Sequence, residues 1–341
     1  HKVTPRPCPR CPIACSYDLE ISSGPHKGYI ATLSGGGEAI EGAASMVGVI
    51  ESGTVFYLVD LYDQLGLEGS TVGCAISMAF EAFKKGLITT EDTDGLDMKW
   101  GDSEVVEKIV RKYAYREGFG DILAKGPRDA ARIIGGEAPD FACHVKGAGM
   151  SLHDWRHKWG QFLGQIVGSG AGWTTPGIDY RMDADAGFPE KTPGLTSKGK
   201  ALEISKTGIH KHINDSTGVC WFASWGRPGG ISLSAEAISA VTGWNYMKEE
   251  LLEAGKRIAQ LERGFNVRHG LVPEDDYNIP KRMLEPPTGG PGKSKTIAPY
   301  LRGMVDEYYR LMGWDVKTGK PWRDTLKRLG LDDVVKDLWG E

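Results

Sequence analysis

Three of the six cysteines fall within eight residues, in the run Cys8-Pro-Arg-Cys11-Pro-Ile-Ala-Cys15. A C-x2-C-x3-C array puts three thiolates on one short turn, enough to grip three corners of a [4Fe–4S] cubane, with a fourth ligand arriving from elsewhere. Zinc is the competing metal, because C-x2-C also builds zinc knuckles. The third cysteine at short spacing, and the lack of a nearby histidine or second C-x2-C pair, favour iron–sulfur. A disulfide scaffold is unusual in a chain with its own core, and clustered thiols point instead to metal. On pattern alone the fourth ligand is Cys74, Cys143 or Cys220. Cys74 sits at a helix start, and Cys143 in the strand-like apolar stretch Phe141-Ala142-Cys143-His144. Cys220 ends the polar turn Asp215-Ser-Thr-Gly218-Val219-Cys220, which is better suited to reach a cofactor.

The elements that must position these residues are mostly helical. Residues 75–87 carry apolar side chains at helical spacing and end at Gly86, a C-cap glycine. A second helix starts with Ser103 as N-cap and runs to Gly118. DILAKGPRDAARIIGG follows and breaks at its paired glycines. SAEAISAVTGW and NYMKEELLEAGKRIAQLERGFNVRHG form a helix pair, and PYLRGMVDEYYRLMGW and DTLKRLGLDDVVKDLW close the chain as two more. Strand-like alternation is short, as in YDLEI from Tyr17. A Gly- and Pro-rich connection from Gly168 onward places the domain boundary at 170/171, giving domains 1–170 and 171–341; EPPTGGPGKSK is a surface crossing between helices.

Bulk properties narrow the partners. A net charge of −4 over 341 residues gives no electrostatic reason for nucleic acid or an anionic membrane. No apolar run approaches the roughly 20 residues that span a bilayer. The polar, Pro-rich start is unlike a signal peptide, so a cytoplasmic protein is expected. Opening at His1, seven residues before the first motif, the chain is expected to be a segment of a longer enzyme. Assembly with copies of itself is left open.

Several separated motifs together resemble the aldehyde ferredoxin oxidoreductases, a family of tungsten-pterin enzymes. They are the cysteine array, Asp63-Gln-Leu-Gly66-Leu67, Asp215-Ser-Thr-Gly218-Val219-Cys220, Leu261-Glu-Arg-Gly-Phe-Asn-Val-Arg268, and Asp306-Glu-Tyr-Tyr309 followed by Gly313-Trp-Asp315. The family also includes tungsten-dependent benzoyl-coenzyme A reductase subunits. The resemblance implies a mainly α fold of two helical domains, equivalent to domains 2 and 3, with the family's N-terminal β domain absent. It implies a tungsten or molybdenum bis-pterin whose amino groups donate to Asp63 and Asp215, with Gly66, Leu67, Gly218 and Val219 completing the two turns. A carboxylate is acceptor-only and suits an N–H-rich ring edge. A lone D-x-x-G is otherwise an ordinary turn. The resemblance also selects Cys220 as the fourth ligand to a cluster on Cys8, Cys11 and Cys15.

In this family substrate chemistry leans on a glutamate and a histidine. Glu38 and Glu41 are the candidate proton carriers, Glu41 fitting slightly better; either is otherwise an acidic helix start. Where relatives carry the histidine this chain has Gly172-Trp-Thr174, and His153, His157, His210 and His212 do not match the pattern. The implied activity is oxidation or reduction of an aldehyde or related carbonyl- or carboxyl-level substrate, with electrons passing to ferredoxin or a partner subunit. The alternatives are a non-catalytic iron–sulfur electron-transfer or scaffold subunit, or an aromatic acyl-CoA reductase-type subunit.

Overall fold

The computed structural model describes residues 1–33, 37–169, 192–220, 222 and 229–340. The chain is mainly helical and divides into two compact units, one made of residues 1–153 and 280–283, the other of 154–279 and 284–341. The sequence boundary at 170/171 lies outside the described residues.

The first unit opens with a three-stranded antiparallel sheet, β1 (Lys2–Pro5), β2 (Tyr17–Glu20) and β3 (Ile30–Leu33), in sequential order. Seven helices follow: α1 (Gly37–Ala43), α2 (Ser52–Gln64), α3 (Gly69–Lys84), α4 (Ser103–Tyr115), α5 (Phe119–Leu123), α6 (Pro127–Ile134) and α7 (Ala138–Phe141). Leu58, Ile76, Phe80, Val106 and Ile109 are fully buried where these helices meet, and Leu19, Ala31 and Leu33 add the inner face of the sheet. Asp60 ties α2 to the sheet, accepting from Thr32 N at 2.8 Å and from the Tyr29 hydroxyl at 2.5 Å. Helices α1 and α3 touch backbone to backbone. A Cβ on Gly42 would stand 2.3 Å from Gly69 O, and one on Gly73 would stand 2.7 Å from Gly42 Cα. Only glycine permits that approach.

In the second unit α8 (Trp159–Val167) and α9 (Lys200–Thr217) are followed by α10 (Gly230–Thr242) and α11 (Lys248–Arg268). The one-turn helix α12 (Glu274–Tyr277) precedes α13 (Lys281–Leu284), of which residues 281–283 belong to the first unit, and α14 (Ala298–Met312), α15 (Arg323–Arg328) and α16 (Asp332–Trp339) complete the second. Helix α9 packs against α8, α11 and α14. The heart of this unit is polar. Arg263 is 2% exposed and donates to Asp276 at 3.1 Å and to Gly319 O at 2.9 Å, with its guanidinium over the rings of Tyr309 and Trp314. Tyr309 in turn donates to Asp276 at 2.6 Å.

Several local expectations need correction. The N-cap of α4 is Asp102 rather than Ser103: its Oδ1 accepts from the backbone of Glu104 and Val105, both at 3.1 Å. The helix expected over 75–87 begins earlier, at Gly69, capped by the Glu68 carboxylate. DTLKRLGLDDVVKDLW is two helices, because Gly330 takes a φ of +68° between α15 and α16. The stretch around Cys143 is irregular chain after α7, not a strand.

Two stability predictions follow from buried charge. Burial first, then the nearby Arg128 and Arg132, push the His144 imidazole down from its ordinary 6.5 to about 4. The folded state therefore holds His144 neutral while the unfolded chain protonates it below 6.5. Stability is intact above 6.5 and falls as pH drops toward 4, by on the order of 3 kcal/mol from this group. Denaturant midpoints between pH 7 and 4.5 will fall less steeply in His144→Gln than in the parent protein. Arg263→Ala leaves Asp276, fully buried, without its cation. It is expected to destabilise by about 3–5 kcal/mol in chemical denaturation.

Candidate cofactor and metal site

The cysteine array is the loop of a β-hairpin. Arg6 N donates to Ser16 O at 2.8 Å and closes the loop at the ends of β1 and β2. Within it Cys11 N donates to Cys8 O at 3.0 Å, a β-turn with Pro9 in its second place and Arg10 in its third. Arg10 has φ +60° and Ala14 φ +46°. Left-handed backbone at residues with a side chain costs about 1–2 kcal/mol each. Such strain concentrates where function dictates a conformation. Cys8 and Cys15 are exposed, Cys11 is half-buried, and all three are free thiols. Among the described residues no three His, Cys, Asp or Glu side chains converge as a closed metal-binding group, so the thiols share a loop without yet meeting at one point.

The other cysteines differ sharply. Cys74 is 1% exposed on α3, and burial pushes its thiol pKa far up, so it is a neutral core residue. Cys143 is half-buried, its Sγ 3.8 Å from Phe141 O. Cys220 is exposed, just beyond the end of α9 in the second unit.

The two acidic turns have the same local architecture. Each is the C-terminal cap of a helix, α2 in the first unit and α9 in the second. Gly66 takes φ +67° and Gly218 φ +71°. Leu67 N reaches back to Tyr62 O at 2.9 Å, and Val219 N to Asn214 O at 3.1 Å. This six-to-one bond is the Schellman closure, and it requires a left-handed residue where the glycine stands. A Cβ on either glycine would meet nothing within 4 Å, so the space beyond each turn is open.

In both turns the aspartate sits in the last helical turn, where the backbone dipole is negative. A carboxylate there is unfavourable by about 0.3–1 kcal/mol. Asp215 offsets this by pairing with Lys211, one turn earlier. Asp63 has no such relief: no basic residue lies in the last turn of α2. Its carboxylate has no hydrogen bond or ion pair among the described residues. Desolvation and the nearby charge of Asp60 both raise its pKa above the ordinary aspartate range. The position is costly for the helix and well suited to a ligand that donates hydrogen bonds.

Of the two candidate proton carriers, Glu41 lies half-buried on α1, and the side chain of Glu38 lies outside the described residues. Glu41 Oε1 is 4.0 Å from His153 Nδ1. His153 does not match the family's histidine position, and its approach to Glu41 spans a long stretch of chain that no motif marks. His157 is structural, its Nδ1 accepting from Gly292 N at 2.9 Å. His212, 7% exposed, stands 3.4 Å from Glu262, which also accepts from the Ser169 hydroxyl. Burial raises the Glu262 pKa, but the bonds from His212 and Ser169 hold it below the ordinary glutamate range. This trio, of which only His212 is buried, escaped sequence reasoning, since nothing in the spacing of Ser169, His212 and Glu262 signals it. Gly172-Trp173-Thr174 lies outside the described residues.

Comparison with known proteins converges on one family. The family model described as aldehyde ferredoxin oxidoreductase, domains 2 & 3, matches residues 1–331. The chain is 31% identical over 330 residues to the tungsten-containing aldehyde ferredoxin oxidoreductase of Pyrococcus furiosus, covering 96% of this chain and 52% of that protein. It is 29% identical to the enzyme of the same name from Thermococcus kodakarensis, covering 97% and 53%. An aliphatic sulfonate oxidoreductase, WOR-like subunit, from Pyrococcus furiosus is also 29% identical, covering 96% and 50%. The chain thus spans about half the length of the curated relatives it matches. Among solved structures, a chain of the active site complex BamBC of benzoyl coenzyme A reductase with 1,5-dienoyl-CoA superposes with a TM-score of 0.71 at 22% identity. That match covers 97% of this chain and 53% of the other, and it is a likeness of fold. The chain belongs to the aldehyde ferredoxin oxidoreductase family, and the region it carries is the one described there as domains 2 and 3.

Proposed function

We propose that the protein is a cytoplasmic tungsten or molybdenum bis-pterin and [4Fe–4S] oxidoreductase. It acts on an aldehyde or related carbonyl- or carboxyl-level carbon and passes electrons to ferredoxin or a partner subunit. The observation that carries this proposal is the unpartnered Asp63 carboxylate, held at the negative end of α2 beside an open αL glycine. The matching turn at Asp215 supports it. A protein that only carried electrons would have no use for two such turns. No described helix is long and apolar enough to cross a membrane.

When bound, the bis-pterin metal supplies two-electron chemistry at a carbonyl carbon, and the cluster supplies a one-electron exit. The chain's own residues bind and move protons. Asp63 and Asp215 accept hydrogen bonds from pterin amino groups, while Gly66-Leu67 and Gly218-Val219 bring backbone close to the rings. Cys8, Cys11, Cys15 and Cys220 are the thiolates of the cluster. Oxidation of an aldehyde with water releases a carboxylic acid, two electrons and two protons, and a base must receive a proton. Glu41 is our first candidate for that base and Glu38 the second. His153 beside Glu41 would hold the carboxylate oriented and accept the proton onward.

The two roles separate by mutation, read as metal content in the complete protein purified without oxygen. Asp63→Ala and Asp215→Ala alter exposed side chains, so folding is expected to survive. Their tungsten or molybdenum content is expected to drop at least about tenfold with iron retained, because charge-assisted hydrogen bonds to the cofactor are lost. Cys11→Ser is expected to lose iron instead. Unchanged heavy-metal content in both aspartate variants would remove the pterin assignment.

A further inference from the structure

A cavity in the second unit is left unused by this chemistry. It is about 230 Å³, open to solvent on one side, and lined by α9, α11, the end of α14, and α15 with Leu329. Three cations line it, Lys206 from α9, Lys256 from α11 and Arg328 from α15, and no carboxylate does. Among the described residues none of the three makes an ion pair or hydrogen bond. Lys206 is half-buried, and Lys256 and Arg328 are exposed.

The neutral polar groups divide in two. Ser205 donates to Leu202 O at 2.8 Å. Gln260 donates to Met312 O at 2.8 Å and accepts from Trp314 at 2.9 Å, so both are satisfied inside the protein. Thr325 is the exception. It is 8% exposed and lines the cavity, and its hydroxyl has no partner among the described residues. The remaining wall is apolar, formed by Leu202, Ile209 and Leu329 among others.

We propose that this cavity is a binding site for a small organic carboxylate with an apolar body. The carboxylate lies among Lys206, Lys256 and Arg328 and accepts from the Thr325 hydroxyl, while the body rests on the leucine and isoleucine wall. Arg328 supplies a planar two-pronged donor that matches a carboxylate, and the lysines supply point charges. The apolar wall excludes a bare inorganic anion as the best occupant, since such an ion would cover that wall without any hydrophobic gain. At this volume the ligand is smaller than the drug-sized molecules that fill pockets of about 300–1,000 Å³. The inference does not rest on the proposed reaction.

Isothermal titration of the complete protein with benzoate and octanoate tests the proposal, with inorganic phosphate, phenyl phosphate and octanol as comparators. One of the two carboxylates is expected to bind saturably, with phosphate and octanol each weaker by at least about tenfold, because each lacks one half of the recognition. The double substitution K206Q/K256Q, at side chains that hold no partner, is expected to weaken carboxylate binding by a similar factor. Thr325→Val, isosteric and fold-preserving, is expected to weaken it less. Carboxylate binding that is unchanged in K206Q/K256Q would place the ligand elsewhere and overturn the site. Phosphate binding as tight as the carboxylates' would reduce it to a patch of charge, and tighter binding of phenyl phosphate than benzoate would overturn the carboxylate assignment.

Discussion

A carboxylate at the C-terminal end of a helix works against the helix dipole, and this chain accepts that conflict twice at equivalent positions. The closing glycine explains only the turn. It supplies the left-handed residue that the six-to-one bond demands and would do so whatever stood three residues earlier. The aspartate therefore needs a separate reason. At Asp215 a lysine one turn away supplies part of the balance, whereas Asp60, the neighbour of Asp63, is itself acidic and already committed to Tyr29 and Thr32. A hydrogen-bond-donating ligand at both turns would resolve the conflict, which is the role proposed above for the pterin.

The rest of the first unit serves to hold small elements still. The cysteine hairpin tolerates two left-handed residues within a few positions because β1 and β2 fix both its ends. Helix α1, which carries Glu41, is short and would have little independent stability. It is held by glycine contacts against α3 that leave no room for a side chain. In the second unit the same task falls to polar groups. Arg263 binds α11 to α12 and α14 through Asp276 and Tyr309, and so steadies the bundle around α9, whose end forms the second acidic turn.

Much of this was legible before any coordinates. The cysteine array and most amphipathic helices could be read because each depends on local spacing, whereas the two D-x-x-G turns stood out only through the family resemblance. Helix α2 was harder, since Val55, Leu58, Val59, Asp60, Leu61 and Tyr62 are all buried and no polar face marks its period. Helix α9 hid for the opposite reason: it buries Lys200, Glu203, His210 and Asn214, residues that sequence patterning assigns to the surface. The pairing of Glu41 with His153 and the grouping of Ser169, His212 and Glu262 arise from contacts across long stretches of chain, which no motif announces. Asp102 displaced Ser103 as a cap because both are good cap residues and only the backbone path decides between them.

The most direct measurement of the central claim is the electron paramagnetic resonance spectrum, with iron and tungsten or molybdenum counts, of the complete protein purified without oxygen. The account predicts about four irons per chain, a cluster signal that appears on reduction with dithionite, and one heavier metal atom. A protein that holds zinc in place of iron, or iron with neither tungsten nor molybdenum, would contradict it.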